Sequence, residues 1–224
     1  MKILAFDTST AKCSVAASNG ARVSARNKIC HREHNRVLFE LINEVLAETH
    51  LALKDLDAIA YGRGPGTFIG VRITVATAQA FGYACAVPLI GLSGLAVLAQ
   101  QAYEAHATPR VLALLDARKG EVYYGDYQCD ANGVTMVHEG VTVASQIPKL
   151  QEYAGIGWGS GFADDAVVQA MPNMEILNQE ASPDAEVMLR LTKSYAQGEV
   201  LNTDVATAQP VYLRDKIADI PKHL

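Results

Sequence analysis

The sequence predicts a two-lobed α/β protein built on an internal duplication. An apolar run that ends in Asp, followed by turn, strand, turn and strand, occurs twice, about a hundred residues apart. Between and after the copies, apolar residues recur at steps of three and four, the period of helices laid on a sheet. The 224 residues, half of them hydrophobic, suit one large domain or two small lobes with an ample core.

Residues 2–6 form an apolar strand that runs into Asp7-Thr8-Ser9-Thr10. Residues 13–18 are small and β-branched, and Asn19-Gly20 follows them. Asn-Gly predicts a type I′ hairpin, which needs positive φ at both central residues. Residues 23–29 alternate, which completes an antiparallel three-strand meander. The period then changes. Val37, Leu38, Leu41, Ile42, Val45 and Leu46 predict an amphipathic helix over 33–49. A strand over 56–61 ends at Gly62-Arg63-Gly64-Pro65-Gly66, where no helix can continue. A second helix starts between 68 and 70 and runs to 84, rich in small residues that admit close packing. A short strand over 88–91 precedes Ser93, which caps a third helix to 105.

The pattern then restarts. Residues 110–115 form an apolar strand ending in Asp116, 121–128 a second, and 134–143 a third after the turn Asp130-Ala131-Asn132-Gly133. A glycine-rich turn over 155–161 follows, then a helix over 162–171, a strand over 175–177 and a helix over 184–197. The duplication divides the chain into lobes 1–106 and 107–224, and the partly apolar tail from Gln209 to Arg214 is expected to dock on the body.

Composition excludes several classes. A net charge of −5 argues against a chain that grips nucleic acid unaided, because phosphate neutralisation needs clustered Lys and Arg. Cys13, Cys30, Cys85 and Cys129 include no C-x-x-C pair, so neither a zinc knuckle nor a disulfide framework is indicated. The amino terminus reaches Asp7 too soon for a signal peptide, and no apolar run approaches the roughly 20 residues of a membrane span. These features predict a reduced, cytoplasmic protein with no membrane role.

Two stretches could carry chemistry. A strand-end Asp before small hydroxyl residues can hold a metal or water beside phosphate oxygens that meet the turn amides. Asp7 and Thr8 fit this, and Asp116 with Arg118 fits less well, since Arg118-Lys119 replaces the small polar pair. Turn capping accounts equally for either Asp alone. The loop Gly64-Pro65-Gly66-Thr67-Phe68-Ile69-Gly70-Val71-Arg72 opens onto a helix start, where anions bind, yet it lacks the Gly-Lys-Ser/Thr of a P-loop. A structured strand-to-helix connection explains it as well. His31 and His34 lack a marked third ligand, so no metal site is expected. No Gly-x-Ser-x-Gly elbow is present.

Residues 3–10 (ILAFDTST), 61–72 (YGRGPGTFIGVR), 115–123 (LDARKGEVY) and 210–214 (PVYLR) resemble the TsaB family, also called YeaZ, in order and spacing along the whole chain. The resemblance implies the duplicated fold of the actin, sugar-kinase and heat-shock ATPase superfamily, with ribonuclease H-like lobes. It implies a non-catalytic paralogue of TsaD, the subunit that transfers threonylcarbamoyl to the tRNA adenosine beside the anticodon. TsaD carries a metal-binding His-x-x-x-His on its first helix; here Asn35 stands four residues after His31. The family pairs with TsaD through the helices of the first lobe, self-associates through the same surface as a homodimer, and meets TsaE through the complex. We therefore place the expected interface on Val37, Leu38, Leu41, Ile42 and Val45, with Thr74 and Ala78 from the second helix. The superfamily cleft would put Asp7, Thr8 and Asp116 at its phosphate end, with Gly64, Pro65, Gly66, Gly70 and Arg72 as a structural loop. No cofactor is expected to be required, although ATP or ADP could sit at a subunit junction near Arg118. Contact with tRNA is expected to be indirect or minor. The alternative is a small-molecule kinase or ATPase of the same superfamily.

Overall fold

The computed structural model describes residues 1–30, 32–143, 146–147, 155–198 and 205–214. One sheet contains β1 (Ile3–Asp7), β2 (Lys12–Ser18), β3 (Val23–Ile29), β4 (Ala58–Gly62) and β5 (Leu89–Leu92). The other contains β6 (Arg110–Arg118), β7 (Glu121–Asp130), β8 (Gly133–Val143), β9 (Ile156–Trp158) and β10 (Glu175–Asn178). Their strand orders are β3-β2-β1-β4-β5 and β10-β9-β6-β7-β8, five strands each. In each sheet three antiparallel strands are followed by two parallel ones. The same path is traced twice, which is the duplicated fold expected from the repeated pattern.

The helices are α1 (His34–Thr49), α2 (Phe68–Cys85), α3 (Gly94–His106), α4 (Asp165–Ala170) and α5 (Ala185–Gly198). Alternation along the strands sorts side chains between layers. Leu4, Phe6 and Val15 face α1 and α2, whereas Ile3, Ala5 and Ala16 face a layer holding α3 and α5. Val111, Ala113 and Leu115 meet that same layer from the second sheet, while Leu112 and Leu114 turn to Phe162, Val167 and Met171. The order is thus helices, sheet, helices, sheet, helix. The helices of the middle layer cross over. α3 precedes the second sheet in sequence yet packs on β6 and β7, and α5 follows that sheet yet packs on β1 and β2. Ser14 Oγ accepts the Ala185 amide at 2.7 Å, and Lys12 pairs with Asp184 at 3.2 Å.

Local chemistry sets most boundaries. Thr67 and Ser93 cap α2 and α3, accepting the amides of Gly70 and Leu95. α1, α2 and α3 all end on non-glycine residues in the left-handed region, His50, Ala86 and Ala107, with φ of 55°, 53° and 53°.

Two details depart from expectation. The Asn19-Gly20 turn is not type I′: of the two only Gly20 has positive φ, and Asn19 Oδ1 instead accepts the amides of Ala21 and Arg22. An Asx turn therefore closes the hairpin. The helix expected over 162–171 is a 3-10 turn at Ser160–Ala163 followed by the six-residue α4. Asp164 breaks it, because its carboxylate accepts the Ala166 amide as a fresh N-cap.

Candidate functional site: a sealed turn, an open cavity and an exposed helix face

The first strand-end Asp is closed off. Asp7 is 1 % exposed and Thr8 fully buried. Asp7 Oδ1 accepts the Ser9 amide at 2.9 Å and the Ser9 hydroxyl at 2.7 Å. The Thr8 amide donates to Thr74 Oγ1 at 3.0 Å, and Thr8 Oγ1 donates to the Gly70 carbonyl at 2.8 Å. The glycine-rich loop fills the remaining space. Thr67 N–H donates to the Ser9 carbonyl at 2.7 Å. A Cβ on Gly66 would lie 2.4 Å from the Ser9 carbonyl oxygen, one on Gly70 2.0 Å from that of Thr8, and one on Gly62 1.7 Å from Asp7 Oδ2. The Thr8 and Ser9 amides, which would meet a phosphate, are spent on the chain itself. Asp7 and Thr8 are corrected on this ground: both are buried beneath the loop that they anchor, instead of lining an open cleft. Burial pushes the Asp7 carboxyl above its ordinary value, against the hydrogen bonds from Ser9 and the charges of Lys12 and His34.

The second Asp stands open. Asp116 Oδ1 accepts the Arg118 amide at 2.7 Å, and its Oδ2 lies 3.2 Å from the Arg118 guanidinium, which is 76 % exposed. Arg118, Lys119 and Gly120 all hold positive φ, a tight hairpin tip that presents two cations. Beside it lies a cavity of about 270 Å³, walled by loop residues 65–68 and Val71, hairpin residues 116–119, Tyr123 and tail residues 211–214. Of the expected site residues, Pro65, Gly66, Asp116 and Arg118 meet here. Gly64 (φ 101°) lets the tail approach, since a Cβ there would lie 3.1 Å from the Val211 carbonyl oxygen. Arg72 stands at the rim, its guanidinium 3.6 Å over the Phe68 ring and its Nε donating to Tyr212 Oη at 2.9 Å. Phe68, Lys119, Tyr123, Tyr212 and Arg214 are among the cavity residues that site reasoning passed over. The mixed apolar and cationic run Val211-Tyr212-Leu213-Arg214 was the available signal.

The expected interface is also corrected. Val37, Leu38, Leu41, Ile42, Val45 and Ala78 are all buried, packed with Leu4, Phe6, Val15, Val71 and Val75 inside the chain's own core, and Thr74 is buried against Thr8 and the Gly70 carbonyl. The six-position stripe on α1 is wide because the helix lies between a sheet and a neighbouring helix, and both contacts use it. The outward face of α1 is polar, with Arg36 paired to Glu33 and Glu40, apart from Phe39, which sits edge-on to Phe81 at 6.0 Å. The outward face of α2 differs. Ile69 and Tyr83 are 70 % and 84 % exposed, and Arg72, Ala76 and Ala80 are exposed between them.

His34 Nε2 lies 2.9 Å from the Thr10 carbonyl oxygen, and His31 falls outside the described residues. Among the described residues no three His, Cys, Asp or Glu side chains could jointly hold a metal ion. Burial pushes the Cys13 and Cys129 thiols up to about 12. Among the described residues no helix is long and apolar enough to cross a membrane.

Comparison with known proteins places this geometry. The family model of TsaD, tRNA N6-adenosine threonylcarbamoyltransferase, matches residues 24–180. The tRNA threonylcarbamoyladenosine biosynthesis protein TsaB of Escherichia coli K12 is 36 % identical over 97 % of this chain and 96 % of its own length. That of Haemophilus influenzae is 34 % identical over 97 % and 95 %. The solved structure of YeaZ from Pseudomonas aeruginosa superposes with a TM-score of 0.85 at 35 % identity, covering 95 % of this chain and 99 % of that one. With whole-length relatives, a shared fold and the same motifs in the same order, the chain belongs to the TsaB (YeaZ) family within the wider TsaD group.

Proposed function

We propose that this chain is a non-catalytic subunit that binds TsaD and is required for threonylcarbamoyl transfer to the tRNA adenosine beside the anticodon, with the outward face of α2 as its docking surface. The observation that carries the reading is that face. Two large apolar side chains, Ile69 and Tyr83, stand exposed at its two ends with only small Ala76 and Ala80 and the rim residue Arg72 on the outward positions between. Small residues let a partner helix approach to about 8–10 Å between axes, and the end residues give it anchors. At 18 residues, α2 is about 27 Å long, enough for the core of a standard interface of about 1,600 Å² in total. The same face would serve self-association when TsaD is absent. TsaE would be met through the assembled complex, and tRNA contact would be minor for a chain of net charge −5. The site of action would be the cytoplasm.

The sealed Asp7 turn weighs against the alternative of a small-molecule kinase or ATPase, which needs an open carboxylate at the phosphate end of the cleft. No cofactor is needed for the role proposed. Any nucleotide would sit beside Arg118 and the open cavity, at the junction with a partner. Light scattering of the chain alone and mixed with its TsaD counterpart tests the reading, alongside a transfer assay with and without the chain. A mixed complex and chain-dependent transfer are expected. Steady phosphate release by the chain alone, with no mixed complex, would favour the kinase or ATPase instead.

A further inference from the structure

Residues 208–214 have no regular structure, starting from the buried Ala208 and continuing over the half-exposed surface, and their two ends are held by different halves of the molecule. Gln79 of α2 donates to the Ala208 carbonyl at 2.7 Å. The Val211 amide donates to the Arg63 carbonyl, just beyond β4, at 2.8 Å. Tyr212 is held by Arg72 at 2.9 Å, and its ring lies 6.0 Å from that of Phe68. These anchors belong to the first sheet and its helices. At the other end Arg214 donates to the Ala117 carbonyl at 3.0 Å and pairs with Glu121, both in the β6–β7 hairpin of the second sheet. Between the anchors, the segment forms one wall of the 270 Å³ cavity.

We propose that residues 208–214 are a strap that ties the two sheets together at the mouth of this cavity, and that a protein docked on the outward face of α2 loosens the strap through Arg72. The second part rests on the docking surface proposed above. Geometry supports the link. Arg72 lies on the same exposed face as Ile69 and Ala76, one helical turn from each, and it is also the residue that holds Tyr212. A partner on that face competes for the guanidinium or for the Phe68 ring beneath it. Ala208 is buried in the core, but from Val211 to Arg214 the segment is held by hydrogen bonds, an ion pair, the Tyr212–Phe68 ring contact and the partly buried Leu213, so release of that stretch is easier than global unfolding.

Amide hydrogen exchange on the full chain tests both parts. In the free chain, Arg214→Gln removes only the anchor on the second sheet. A charge-assisted hydrogen bond is worth enough that its loss should speed exchange about tenfold. The strap requires this acceleration in the peptide holding Val211 and in the loop around Arg63, as well as in the β6–β7 hairpin. Acceleration confined to the hairpin overturns it. Tyr212→Phe, which keeps the ring and removes the hydroxyl, should accelerate the same Val211 peptide to a smaller degree; no change there counts against the strap independently. With the TsaD counterpart added to the unaltered chain, α2 should exchange more slowly and the 208–214 peptide faster. Slower α2 with an unchanged strap overturns the coupling and leaves the docking surface standing. No change in either overturns docking, and the coupling with it, while the free-chain result still decides the strap.

Discussion

Asp7 shows how one residue's role is decided by what encloses it. Its carboxyl is raised because burial disfavours the charged form, and Ser9 offsets only part of that cost. A raised folded-state value means that the stability it contributes is fully present below the ordinary value of 3.8 and is lost as pH rises through the folded value. Asp7→Asn keeps an acceptor for Ser9 and cannot ionise. Urea unfolding across pH should therefore show the variant gaining on the native chain as pH rises above the ordinary value, with little difference below it. Parallel stability curves for the two would contradict the assignment. Gly62→Ala drives a Cβ into Asp7 Oδ2 and should cost at least the roughly 1–3 kcal/mol of ordinary overpacking, read by the same unfolding assay. The Asp was legible in the sequence as a strand-end carboxylate. Its closure was not, because that depends on three glycines, at the end of β4, in the following loop and in the first turn of α2, meeting the turn from more than fifty residues away.

At the scale of the element, period and capping were readable and facing was not. Thr67 and Ser93 are local signals, and the helices they cap start where their hydroxyls accept an amide. Asp164 carries the same signal inside a stretch with helical periodicity, and the cap outweighed the period. The α1 stripe was legible as apolar but gave no measure of how many neighbours would use it. Leu38→Ala should consequently act as a core truncation, costing about 2–5 kcal/mol in thermal or denaturant unfolding. A change below about 0.5 kcal/mol would mean that the stripe is not core. The helix ends give a prediction of opposite sign. Ala86 and Ala107 hold left-handed backbone that favours glycine. Ala86→Gly and Ala107→Gly should each stabilise by about 0.5–1 kcal/mol, the relief of left-handed strain less the entropy of the freer unfolded chain. Destabilisation by either would contradict the cap geometry.

For the whole molecule, the duplication could be read because each sheet is continuous in sequence. The crossed helices of the middle layer could not, since α3 and α5 carry no mark of which sheet they will join. The cavity lay equally out of reach of local signals, being assembled from a loop, a hairpin and a tail that are distant in sequence. The central claim concerns the surface this assembly leaves uncovered. Calorimetric titration of the TsaD counterpart into the chain, and into Ala80→Arg and Tyr83→Asp, tests it most directly. Both positions are exposed, so the variants should unfold as the native chain does. Burying an unpaired charge in an interface core should weaken binding at least tenfold for each, whereas Asn132→Asp, on the far β7–β8 turn, should bind unchanged. Native affinity in both α2 variants would show that the partner docks elsewhere and that the outward face of α2 is not the interface.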